Sequence, residues 1–282
     1  MSRLEVIYTF AQYEIKRAIA RKKVLALLAF TILLCVIPYY ALSSAGSTLI
    51  PNSLYPYIWI VGLFVVQPLF LNFTAILIAA GAMSEEYEQG TAELLLSKPV
   101  RRSDYFIGKF LGGYILFLAI LALAVFLSVA SAFTFFGFQD SLFLVPGLFL
   151  AQAFSSLVFY SLAFMFGELI RRSSLAYIFS SAVFFSSFIM STFFGFIFSL
   201  TGNSIYKTIQ IYLPTSPASS LPIQYALPNL PANLSQILRF INTDTVVPTI
   251  ELSIEILLIY TLVAVAIAAT YFLRADISRK LS

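Results

Sequence analysis

Carboxylates gather in one place in this chain. Glu85, Glu86, Glu88 and Glu93 fall in the run Ser84–Arg102, with Gly90-Thr91, the leucines Leu94, Leu95 and Leu96, Pro99 and the pair Arg101-Arg102, in a sequence that is 60% hydrophobic and only 11% charged. Histidine is absent and the one cysteine, Cys35, lies in an apolar run. Histidine-based acid–base catalysis and a disulfide framework are therefore excluded, and no zinc, haem or iron–sulfur site is expected. No phosphate-binding loop occurs either, because Gly108-Lys109 runs on into Phe110 and lacks the upstream glycine. The chemistry left to such an island is recognition. A charged collar around an apolar ridge has the make-up of a docking element for a partner groove.

The local sequence gives that element a shape. Gly90 tolerates the positive φ of a sharp turn, Thr91 suits a helix N-cap, and Glu93 just inside favours the positive end of the helix dipole. Leu94, Leu95 and Leu96 are strong helix formers, and Pro99 stops the helix within about two turns. The expected product is a short helix lying across the end of a bundle, with leucines on more than one side.

The flanking sequence supplies the bundle. Its composition, with 29 phenylalanines among 282 residues, is that of a helical membrane protein. Apolar stretches predict six spans, at 24–42, 56–83, 110–130, 142–170, 175–200 and 250–273, with the island as a loop at 84–109. The second is longer than the ~30 Å hydrocarbon core requires, and Pro68 offers it a kink. Gly108 and Gly112 make a small-xxx-small step suited to close helix contact. Residues 1–23 are too polar to span. Leu4, Tyr8, Ala11, Ile15 and Ile19 recur at helical spacing opposite Arg and Lys, which predicts an amphipathic interfacial helix. Pro214, Pro217, Pro222, Pro228, Pro231 and Pro248 break 201–249 into short pieces, read as an outer cap. Asn233-Leu234-Ser235 within it is a glycosylation sequon, meaningful only if that loop is outside.

Basic residues orient the spans. The N-terminal helix, the island, the loop Arg171-Arg172 and the C-terminal tail hold fifteen of the seventeen Lys and Arg, leaving Lys207 and Arg239 for the other side. By the positive-inside rule both termini and the island are cytoplasmic, in the plasma membrane. Polar residues within the spans form a second group of candidates. Gln67, Asn72, Thr74, Gln152, Ser186, Ser187 and Ser191 either line a substrate path or make interhelical hydrogen bonds. Gln67, Asn72, Gln152 and Ser187 are the residues carried forward as a path. Glu251 and Glu255 read as exposed interfacial carboxylates. No ionisable residue is expected deep in a span, which disfavours a proton- or sodium-driven transporter.

The run Glu86 to Arg102, with Lys109 at the head of the next span, resembles the signature loop of type-2 ATP-binding-cassette (ABC-2) permeases. Glu86, Glu88, Gly90, Thr91, Glu93, Leu94, Leu95, Pro99 and Arg102 fall on the family's pattern, whereas Lys98 stands at a variable position. The rest of the chain agrees in layout only. The resemblance implies an all-α membrane protein of six spans with an N-terminal interfacial helix, a cytoplasmic coupling helix and an extracellular helical cap. It implies a permease without its own catalytic site, paired with a second permease subunit in a homo- or heterodimer. ATP and Mg would be bound by separate cytoplasmic ATPase subunits, with membrane lipid around the chain and no nucleic acid. Export is favoured by the resemblance. The competing readings are an ATPase-coupled scaffold that delivers a group or signal to an extracytoplasmic partner and, further off, an intramembrane lipid-modifying enzyme.

Overall fold

A computed structural model describes residues 3–20, 22–45, 51–97, 100–231, 234 and 248–274. Among these the regular structure is helical and no strand occurs. Six helical stretches are long and apolar enough to cross a membrane: Val24–Ser44, Asn52–Glu88, Arg102–Phe136, Leu142–Ile170, Ser173–Thr201 and Ile250–Arg274. The helices are α1 (Arg3–Ile19), α2 (Lys22–Ala45), α3 (Ile58–Val66), α4 (Asn72–Glu88), α5 (Thr91–Leu96), α6 (Arg102–Phe136), α7 (Val145–Ile170), α8 (Ser173–Thr201), α9 (Ser204–Tyr212), α10 (Thr215–Ala226) and α11 (Ile250–Arg274).

Two spans extend further than hydropathy alone indicated. The second stays helical to Glu88 and the third starts at Arg102, so little more than α5 and its turns separates them. At ~1.5 Å per residue α6 is about 50 Å long, well over the hydrocarbon thickness, and its ends project beyond it. The second span is not one straight rod. A π-helical turn at Gln67–Leu71, containing Pro68, joins α3 to α4, consistent with a ring that denies the helix one backbone donor.

Helix α4 is the hub, packed on α6, α7 and α8, while α7 also carries α10 and α11. Its residues Ala75, Ala79, Ala80, Gly81 and Ala82 are buried, and small side chains allow the close approach that drives association where lipid offers no hydrophobic gain. A Cβ at Gly167 of α7 would stand 2.7 Å from the Ala80 carbonyl oxygen, which measures how near the two backbones come. Polar ties fix the end remote from α5. Trp59 Nε1 donates to the Asp140 carbonyl at 2.9 Å, and Ser128 Oγ donates to the Trp59 carbonyl at 3.1 Å.

The Gly108–Gly112 step serves α1, which lies along the first turns of α6. A Cβ at Gly108 would meet Phe10 Cβ at 2.5 Å, and one at Gly112 would meet the Ala11 carbonyl oxygen at 2.7 Å. The face of α1 turned to the bundle carries Ala11, Glu14 and Ala18, all buried. Leu4, Tyr8 and Ile19, from the expected apolar face, are exposed. Thus α1 has one face docked on protein and another with exposed apolar side chains.

The segment 201–249 also divides. Gly202 at φ 65° ends α8, and the Asn203 side chain accepts from the Ile205 N–H to start α9. Helix α10, by contrast, does not sit on top of the bundle. It inserts against α7, α8 and α11, with Ser216, Ala218, Ser220 and Ala226 buried. Tyr225 fills the notch at Gly147, where a Cβ would lie 2.0 Å from its hydroxyl. Leu234 is buried, whereas Asn233, Ser235 and Arg239 lie outside the described residues.

Candidate coupling site

Helix α5 lies at the end of the bundle formed by α1, the C-terminal turns of α4, α7 and α11, and the N-terminal turns of α6 and α8. Gly90 adopts φ 68° and is itself the N-cap, one residue before the expected Thr91. Thr91 opens the helix, and its hydroxyl donates back to the Glu86 carbonyl at 3.4 Å. Ala92 is buried and Leu95 packs on the core. Leu94 is 70% exposed, with Glu93 and Ser97 also facing out. An amphipathic pair of turns therefore presents one apolar side chain, edged by a carboxylate, away from the bundle. Arg102 is exposed at the start of α6. The side chain of Leu96, and Lys98 and Pro99, lie outside the described residues.

The carboxylates that precede α5 point elsewhere. Glu85 accepts from the Tyr177 hydroxyl at 2.7 Å, and Glu88 accepts from the Ser173 N–H at 2.8 Å and the Ser173 hydroxyl at 2.5 Å. Both tie α4 to the first turn of α8, where a carboxylate is favoured by the helix dipole. Tyr87 donates to Glu168 at 2.7 Å, and Arg171, in the left-handed turn that closes α7, stacks over the Tyr87 ring at 4.9 Å and the Tyr271 ring at 5.3 Å.

Glu86 goes furthest inward. Its carboxylate is wholly buried and accepts from Lys109 Nζ and the Tyr105 hydroxyl, while Arg17 Nη1 stands 2.7 Å away. Lys109 Nζ also donates to Glu14, and Arg17 Nη2 donates to Glu14 at 2.9 Å and to the Ala82 carbonyl at 2.8 Å. Two acids and two bases make the cluster formally neutral. Arg17 is held above its ordinary pKa: burial works against the charge, but the nearby Glu14 and Glu86 carboxylates outweigh it. Removing one member of such a cluster leaves an uncompensated buried charge, at a cost of about 3–5 kcal/mol. Alongside it Arg3 pairs with buried Asp104 at 2.8 Å.

These contacts add detail to one expectation. Lys109 is fully buried two turns into α6, and Glu86, Asp104 and Glu168 are buried in helices that form spans. Among the described residues, the charged groups buried in the span helices thus all lie at the α5 end, each with a partner, while Glu251 and Glu255 are exposed at the other end. The hydropathy profile hid them because their partners are distant in sequence, 23 residues from Lys109 to Glu86 and 95 to Glu14. Tyr105 and Arg17 carried no sequence signal. Glu14, three residues before Arg17 in a helix with buried Ala11 and Ala18, was the available clue.

Of the four path candidates, Asn72, Gln152 and Ser187 are buried in two separate hydrogen-bonded seams between helices. Ser156 Oγ donates to Asn72 at 2.8 Å and Gln152 Nε2 donates to Ser156 at 3.0 Å, joining α4 to α7. Ser187 and Thr215 share a 2.8 Å hydrogen bond that joins α8 to α10. Thr74 and Ser191 are buried and Ser186 is exposed, while the side chain of Gln67 lies outside the described residues. Glu251 and Glu255 are both exposed at the start of α11.

Comparison with known proteins bears on this arrangement of six spans and an anchored short helix. No curated protein sequence matches the chain. The family model described as ABC-2 family transporter protein matches residues 8–277, from within α1 to beyond α11, and the chain belongs to that family of membrane subunits.

Proposed function

We propose that this permease subunit is driven through α5 by a separate ATP-binding-cassette ATPase, and that it works as an exporter. The observation that carries the reading is the outward Glu93–Leu94 edge on a helix whose other side is packed into the bundle. An element that docks a moving partner needs one face to grip and another to transmit, and α5 has both. In this reading ATP and Mg belong to the ATPase, and two permease subunits, identical or not, stand over two ATPase subunits. The division of basic residues, fifteen to two, supports a cytoplasmic α5 end, and in this reading the membrane is the plasma membrane. The sealed seams at Asn72–Gln152 and Ser187–Thr215 lie where a polar path would open when α4 and α8 move apart from α7 and α10.

The test is co-expression with the cognate ATPase and purification of the complex. Glu93→Lys with Leu94→Asp changes exposed side chains only, so the variant permease should keep its thermal stability and lose the ATPase. Retention of the ATPase at the unaltered yield would remove α5 from the interface.

A further inference from the structure

The buried charge cluster has a geometry that simple packing does not require. Its members come from three helices: Glu14 and Arg17 from α1, Glu86 from the last turn of α4, and Lys109 from α6. Lys109, from α6, bonds the acids of both α1 and α4, and Arg17 contacts the same two acids. Glu86 in turn is bonded to α5 itself, because its carbonyl accepts from the Thr91 hydroxyl. A displacement of α5 therefore reaches Glu86 first, through Lys109 it reaches α6, and through Lys109 and Arg17 it reaches α1. In a low-dielectric site such pairs do not slide, since separating either acid from Lys109 strands a charge. Gly108 and Gly112 hold the α1 backbone against α6 on the same face, so contact and charge act together.

We infer that Lys109, together with Arg17, is a positioning residue that makes α1, the end of α4 and the start of α6 one rigid unit with α5, so that α1 is driven by the ATPase and does more than anchor the chain in the interface. The inference rests on the reading of α5 as the point of input.

Spin labels on Gln12→Cys in α1 and Gln89→Cys before α5, both exposed positions, in a Cys35→Ser background read the unit directly. Distances are measured in the permease alone, in its complex with the ATPase, and in that complex trapped with ATP and vanadate. The unaltered cluster should give a narrow distribution that moves by less than about 2 Å on trapping, the scale of a minor helix adjustment. Arg17→Met with Glu14→Gln removes both α1 members, leaves Lys109 paired with Glu86 and keeps the cluster neutral. It should broaden the distribution and make the distance change on trapping, while ATP hydrolysis continues. Glu14→Gln alone, which removes the bond from Lys109 to α1 and leaves Arg17 on Glu86, should give the same effect at smaller amplitude and serves if the double variant does not fold. A distribution unchanged by both variants overturns the inference. So does one broadened equally in the free and trapped states, which is what mere packing would give, or a shift above that limit with the cluster intact. If the ATPase fails to bind the unaltered permease, the reading of α5 falls and the driven role with it. The distribution in the permease alone then judges the rigid unit separately.

Discussion

Gly112→Ala adds a single methyl group where α1 meets α6. That methyl would lie 2.7 Å from the Ala11 carbonyl oxygen and 2.9 Å from both Ala11 Cα and Glu14 Cβ, whereas ordinary contact begins at 3.4 Å. The two nearest atoms are backbone, so no rotamer change relieves the clash and α1 must retreat by about 0.7 Å, the difference between 3.4 and 2.7 Å. Overpacking of this kind costs about 1–3 kcal/mol. Because Glu14 rides on the same stretch of α1, the retreat also stretches its bond to Lys109. Amides of α1 exchange hydrogen through undocking of the helix, so that cost should raise their exchange rates by about 5–150-fold. Hydrogen exchange with mass spectrometry on the purified permease reads this, with peptides from α7 as the internal reference. Rates in α1 within about twofold of the unaltered protein would show that α1 is not held by this contact and would refute the docking argument.

Other consequences are open to simpler assays. Gly147→Leu places a side chain on Tyr225, whose hydroxyl is 2.0 Å from the added Cβ, and should loosen α10 by about 1–3 kcal/mol. A cysteine at Ser219, half-buried on α10 in a Cys35→Ser background, should then react with maleimide about 5-fold faster or more, and an unchanged rate would mean α10 is held elsewhere. In the same background Lys207→Cys should label from outside intact cells and Ser97→Cys only after permeabilisation, with the reverse pattern inverting the orientation. Asn72→Leu should cost only about 1 kcal/mol in thermal stability if its bond to Ser156 is an ordinary interhelical contact. A much larger loss would make the seam a principal support of the bundle.

The spans were legible because long apolar runs in this chain admit little else. Pro68 marked a kink, where a π-helical turn is found, Gly90 the tight turn before α5, and Gly108 and Gly112 a close helix contact. Their partner was not announced. The face of α1 that meets α6 includes Glu14 and Arg17, and a helix reading by hydropathy assigns such residues to water. Only tertiary convergence with Glu86 and Lys109 makes them interior. The same cause turned the acidic island around: Glu85, Glu86 and Glu88 read as a surface collar, yet they bond Tyr177, Lys109 and Ser173. Among the described residues of the candidate site the exposed ones include Glu93, Leu94, Ser97 and Arg102, with Glu88 exposed but held by Ser173. Prolines at 217 and 222 read as breakers of an outer cap, but α10 tolerates Pro222 within a buried helix because α7, α8 and α11 surround it.

The claim on which the account depends is that Leu94 meets the ATPase. A photoreactive phenylalanine analogue placed at Leu94 in membranes containing both subunits puts that contact to a direct test, with the same probe at exposed Glu251 as the control from the opposite end. The account predicts a permease–ATPase adduct at Leu94 and none at Glu251. An adduct at Glu251, or at neither position while the two subunits still copurify, would contradict it.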